Sequence, residues 1–162
     1  MPSTTDPARL LLRHTVATLA YRGGKTLRGA PPEFAAARCA AGTRSAAEIL
    51  AHVGDLLDWG LALAQGRRSW NDSTPLPWDD EVARFHAALA RFDEYLASGL
   101  PLESPPEKLF QGPVADALTH VGQLALLRRV AGAPLRGENY FKADIAAGTV
   151  GPEQPAARFE FG

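Results

Sequence analysis

Asp116 and His120 stand four residues apart in PVADALTHVGQLALLRRVA, the stretch from Pro113 to Ala131. Side chains at that spacing lie one above the other on a helix face, so a carboxylate and an imidazole can reach one point. Such a pair suits a divalent metal, with a third ligand drawn from another helix. It equally suits an ordinary solvent-facing pair, and spacing alone does not choose. His52, in SAAEILAHVGDLLDW, breaks an apolar stripe one place before Val53. A polar residue there either has a structural role or is the missing ligand. Asp55 follows three residues later and either holds His52 in place or lies beside the metal. His14 reads as a core-edge histidine, a pocket residue or an extra polar group at a metal site. His86, next to Phe85, is expected to face outward.

Other chemistry-bearing motifs are weaker. Gly23-Gly24-Lys25-Thr26 invites comparison with a phosphate loop. It lacks the earlier glycine at the required spacing, and a helical rather than a strand pattern precedes it, so it is rejected. Cys39 is the single cysteine; it excludes an internal disulfide and reads as a small, semi-buried residue. Net charge is -1, with no basic excess to neutralise phosphates, so nucleic acid is not an expected partner. MPSTTDPARLLLRH has no signal-peptide core and no stretch reaches membrane-spanning length, so a cytoplasmic protein without membrane contact is expected.

The elements that must position these residues follow from apolar periodicity. With 162 residues, 46% hydrophobic and 22% charged, the chain suits one folded domain, 1–162, with a sizeable core. Asp6 as cap and Pro7 in the first turn open a helix to about Tyr21, with Leu10, Leu11, Val16, Leu19 and Ala20 on its apolar side. Glycines and prolines from Gly23 to Pro32 interrupt it, leaving a long connection that covers one end of a bundle. Ser45 and Glu48 match a capping box for a second helix, Ala46 to about Gln65. Ile49, Leu50, Val53, Leu56, Leu57 and Leu61 form its buried side.

GRRSWNDSTPLP, Gly66 to Pro77, is long enough to cross the bundle end and let the second and third helices run parallel. Trp70 and Trp78 are expected to pack that loop down. The third helix, Trp78 to Ala97, buries Phe85, Ala88, Leu89, Phe92 and Leu96. The fourth starts with Pro113 at its first position, carries Val114, Leu118, Val121, Leu124 and Ala125, and stops at Gly132. Arg128 and Arg129 suit its carbonyl pole. The remaining tail is too rich in Gly and Pro for a fifth long helix; Tyr140 and Phe141 are its expected anchors. The fold class is all-α, a four-helix bundle in up-down-down-up order with an ordered C-terminal tail.

Together, SAAEILAHVGDLLDW and DALTHVGQLALLRRVAG resemble the DinB-like superfamily, the DinB/YfiT-like metalloenzymes. The resemblance runs from the first helix through Gly132 and extends to GENYFKADI. It implies that His52 takes the place of the second-helix metal ligand. His120 takes that of the last ligand, in the pattern histidine, any residue, glycine, glutamine. Asp116 stands where many members carry another histidine. That departure is similar to the carboxylate-plus-two-histidine set of the thiol-dependent isomerases and transferases, which favour glutamate. It leaves open whether Asp116 binds directly or through water. The resemblance implies one divalent metal, zinc or nickel first, with iron or manganese also compatible. The implied activity is that of a metal-dependent hydrolase. The alternatives are a mycothiol- or bacillithiol-like S-transferase or isomerase, and a non-catalytic domain stabilised by metal. A small-molecule substrate or low-molecular-weight thiol is the expected ligand, and a homodimer the expected assembly.

Overall fold

In the computed structural model, which describes residues 6–162, Asp6 accepts the Ala8 amide and caps α1 (Pro7–Leu27). Residues 1–5, part of the N-terminal stretch expected to lack a signal-peptide core, lie outside the described residues. The helix does not stop near Tyr21 but continues through Gly23 and Gly24. Glycine inside a helix costs roughly 1 kcal/mol relative to alanine, and here the cost is offset by close packing. A Cβ on Gly23 would lie 2.6 Å from Phe85 Cζ. The buried side of α1 is Leu12, Val16, Leu19 and Ala20, whereas Leu10 and Leu11 are exposed. Gly29, at φ 65°, ends the run in a conformation that favours glycine.

The connection to α2 carries a 3-10 turn, Pro32–Ala36, whose Phe34 is fully buried and meets Trp78 edge to face at 5.5 Å. Trp78 is thus a packing residue, with Phe34 of this connection as its partner. Ser45 and Glu48 complete the capping box at the start of α2 (Ala46–Ala64): Ser45 Oγ accepts the Glu48 amide at 3.2 Å, and Glu48 Oε2 accepts the Ser45 amide at 2.6 Å. α3 spans Trp78–Ala97 with Phe85, Leu89, Phe92 and Leu96 buried.

The fourth helical run starts earlier than the sequence suggests. α4 (Pro106–Leu109) passes through a π-helical turn, Phe110–Val114, into α5 (Ala115–Val130). Pro113 lies inside that wider turn rather than at a helix start. Its ring would collide with the carbonyl four residues back in a regular α-helix, and the local widening accommodates it.

Cross-helix contacts fix the directions. Arg13 pairs with Asp93, and Arg9 Nη1 donates to the Leu96 carbonyl, so α1 and α3 are antiparallel. Asp55 and Asp58 meet Arg84 and Arg91 in rising order, so α2 and α3 are parallel. Gly60 faces Pro113 and His52 faces His120, so α2 and α5 are antiparallel. The result is an all-α, up-down-down-up bundle with a long α1–α2 connection.

Arg128 does more than face the carbonyl pole of its own helix. It is 6% exposed, and its Nη1 donates to the Thr26 and Arg28 carbonyls at the end of α1. The tail folds back through a short antiparallel pair, β1 (Gly137–Glu138) with β2 (Glu160–Phe161). Glu138 is buried and accepts hydrogen bonds from Tyr21 and Lys25, and Lys25 also pairs with Glu160 at 3.2 Å. Tyr140 anchors against Tyr21 and Arg22, but Phe141 is 97% exposed and anchors nothing among the described residues. Its neighbour occupies the inward position of the Tyr140–Lys142 3-10 turn, which leaves the Phe141 side chain outside. Among the described residues, no helix is long and apolar enough to cross a membrane.

Candidate metal centre

His52 comes from α2, and Asp116 and His120 from consecutive turns of α5. Antiparallel packing of these helices brings one ligating atom from each residue within 4.8 Å of the others. His120 Nε2 lies 3.4 Å from Asp116 Oδ1, and His52 Nε2 lies 3.9 Å from Asp116 Oδ2. The two imidazoles cross at right angles with centroids 4.7 Å apart. Their side chains are 14% and 12% exposed, against 49% for Asp116. The cluster thus sits at the rim of the bundle, with its carboxylate towards solvent.

Each histidine is held differently. His120 Nδ1 is 2.7 Å from Gln123 Oε1, one helical turn on. An amide oxygen can only accept, so Nδ1 carries the proton and Nε2 keeps its lone pair for the shared point. His52 is fixed by packing. Its ring meets Trp70 edge to face at 5.7 Å, and Trp70 meets Trp59 at 5.8 Å. Its Nδ1 is buried with no hydrogen-bond partner among the described residues. Burial holds the His52 imidazole below its ordinary pKa; Arg44 and His120 act in the same direction, while Asp116 and Asp55 oppose them. The neutral ring is the form that offers a lone pair to a metal.

Asp55 does not hold His52. Its carboxylate is saturated by Ser73, which donates its amide at 2.9 Å and its hydroxyl at 2.6 Å, and by Arg84 at 2.5 Å. The helical spacing that suggested a contact turns Asp55 towards α3 instead. Its effect on the site is indirect: it ties down the loop that lays Trp70 over His52. His14 is exposed on α1, which packs on α3 and α5 rather than on α2, and takes no part. His86 does not face outward. Its Nδ1 is buried, and burial holds its pKa down against a hydrogen bond with the Val150 backbone. The returning tail covers it, which helical periodicity alone does not reveal.

A cleft of about 400 Å³ opens beside His120. Its floor is Ile49 and Leu127, Leu126 forms an apolar wall, and Gln123, Thr43, Arg44 and Cys39 complete the lining. Cys39 is exposed rather than semi-buried, because the connection before α2 runs outside the bundle. Gln123 appeared in the sequence only as the glutamine of the pattern that follows His120, without a role, and Arg44 did not stand out. Gln123 was signalled by its three-residue spacing from His120 on one helix face. Arg44 precedes the Ser45 cap, and nothing local marks it. Comparison with protein-family models, with curated proteins and with solved structures finds no match to this chain.

Proposed function

We propose that His52, Asp116 and His120 hold one divalent cation, zinc or nickel, and that this chain is a metal-dependent enzyme of the DinB-like kind. The observation that carries the reading is the convergence of three ligand types within 4.8 Å from two separate helices. The donor set suits the ion: two neutral imidazoles and one carboxylate are typical of zinc centres that keep a position open. Bonds of about 2.0–2.2 Å in a tetrahedral set place ligands roughly 3.4 Å apart; one ligating atom from each residue lies within 4.8 Å of the others, so the side chains must draw somewhat closer around an ion.

A catalytic or substrate-binding role is favoured over a purely structural one. The bundle has its own buried core, including Val53, Leu57, Leu89, Phe92 and Leu124. The metal cluster lies at its rim, next to an open cleft. When bound, the metal would supply Lewis acidity and lower the pKa of a coordinated water or thiol. Around it, Gln123 holds the His120 tautomer, Trp70 shields one side of His52, and the Ile49–Leu127 floor excludes water from a bound ligand.

Metal-dependent hydrolysis is the first reading. Asp116 is half exposed, so water can reach the open side of the cluster, whereas Asp55 is committed to Arg84 and Ser73. Thiol transfer is the second reading, supported by a cleft lining of described residues that carries no carboxylate. A metal-bound thiolate reacts without a general base. Metal-loaded protein incubated separately with activated esters and with low-molecular-weight thiols tests the two. Ester turnover supports hydrolysis, and a thiol sulfur on the metal supports transfer. The absence of both results, in protein that holds metal at full occupancy, would overturn the catalytic reading. The reading also carries a homodimer, supported by Leu11 and Phe110, exposed together along one apolar groove. A scattering mass near 17.3 kDa, the single-chain value, would remove it.

A further inference from the structure

The cleft beside His120 has a polarity of its own. Ile49 and Leu127 are 5% and 1% exposed and form a dry floor, and Leu126, 51% exposed, forms a wall. At the rim stands one cationic side chain, Arg44. Arg38, the nearest basic residue in the same connection, is already engaged: it pairs with Glu48 at 2.9 Å and donates to the Thr43 carbonyl. Among the described residues, no carboxylate comes within ion-pair distance of Arg44. A guanidinium without a partner, next to an apolar floor and a cation-binding rim, selects for negative charge.

We infer that this cleft binds a small amphipathic carboxylate, its apolar body on Ile49, Leu126 and Leu127, its carboxylate on Arg44, and its other polar end at His120. The inference rests on the metal reading only for what lies at the His120 end. The volume, about 400 Å³, is at the small end of ligand sites. It suits a compact metabolite rather than a peptide or a nucleotide chain. Arg44 and His120 line the same cleft, which places the guanidinium on the site's side of the connection. Thr43 Oγ1 closes the local turn by donating to the Ala40 carbonyl at 2.7 Å, which keeps the segment that presents Arg44 in one shape.

Phenylbutyrate and its neutral counterpart phenylbutanol are suitable probes, titrated calorimetrically into the full chain with and without zinc, with metal content measured in every sample. The acid is expected to bind at least tenfold more tightly than the alcohol. Arg44→Gln should weaken the acid by roughly tenfold, the lower end for hydrogen bonds to charged groups, and leave the alcohol unchanged. Arg44→Lys should retain part of the preference. Leu126→Asp, at an exposed wall position, should weaken both probes. A carboxylate could also ligate zinc directly, so the decisive comparison is in metal-free protein, where the Arg44 dependence should persist. Equal binding of acid and alcohol, an acid affinity indifferent to Arg44→Gln without metal, or no binding of either probe would each overturn the inference. Arg44-dependent binding in protein that takes up no metal would overturn the metal reading alone.

Discussion

Replacing Arg84 with methionine should destabilise the bundle and loosen the cover over His52. The guanidinium is 19% exposed and lies between two carboxylates that are almost fully buried, Asp55 at 1% and Glu81 at 0%. It bonds Asp55 at 2.5 Å, Glu81 at 3.1 Å and the Ala51 carbonyl at 3.2 Å. Burial works against the charged guanidinium, but these acids outweigh it and hold its pKa above the ordinary value. Methionine fills much of the same volume and leaves both acids without their cation. Removing one partner of a buried pair costs about 3–5 kcal/mol. Here each acid keeps other donors: Asp55 keeps Ser73, and Glu81 keeps the Leu76 amide at 2.8 Å. The lower end, about 3 kcal/mol, is therefore expected. In urea, with a slope of about 2 kcal/mol per molar, the midpoint should fall by roughly 1.5 M. Because Ser73 and Leu76 tie the loop to these acids, Trp70 fluorescence should shift towards the solvent-exposed value. Asp55→Asn in the Arg84→Met background should recover part of the loss. A midpoint unchanged within about 0.25 M, equivalent to ~0.5 kcal/mol and no more than an ordinary surface substitution, would refute the argument.

Gly23→Ala should cost about 1–3 kcal/mol, because the added methyl meets the Phe85 ring at 2.6 Å, and Phe85→Leu should relieve much of it in a denaturation series. Gln123→Leu should weaken metal affinity by about tenfold while leaving thermal stability of the metal-free protein nearly unchanged; equal affinity would exclude Gln123 as the group that orients His120. Alkaline pH should release the tail. Burial and the bond to Glu138 hold the Tyr21 proton above its ordinary pKa of 10.0, and for Lys25 burial is outweighed by Glu138 and Glu160, so its pKa lies above 10.5. The unfolded chain therefore loses these protons first, so the stabilisation is complete below about pH 10 and falls away as pH rises through the raised values. Phenolate absorbance should show one tyrosine ionising well after the others, and Glu138→Gln should bring it forward.

The bundle was legible wherever local signals and packing agreed. The capping box at Ser45 and Glu48, the apolar face of α3 and the length of the Gly66–Pro77 loop all point to the observed order. Convergence of His52 with Asp116 and His120 follows from the same periodicity, since residues on facing stripes of antiparallel helices must meet. What escaped depends on contacts between distant segments. Gly23 reads as a helix breaker until Phe85 is placed against it. Pro113 reads as a helix start until the π turn is seen to absorb it. Arg128 reads as a charge at its own helix end, yet its partners are the Thr26 and Arg28 carbonyls, about a hundred residues away in the chain. Asp55 turns from His52 to Arg84 because α3 runs alongside. Arg44 gains its role only once the cleft exists.

The central claim, that His52, Asp116 and His120 form one metal centre, is tested most directly by metal binding to tag-free protein. Zinc titrated against a chromophoric chelator, followed by metal analysis after gel filtration, gives stoichiometry and affinity together. One ion per chain is expected, with His120→Ala lowering affinity by at least a hundredfold and His52→Ala and Asp116→Ala each weakening it, while circular dichroism of all three variants stays helical. Zinc bound with unchanged affinity in folded His120→Ala protein, or no zinc retained by the unaltered chain, would contradict it.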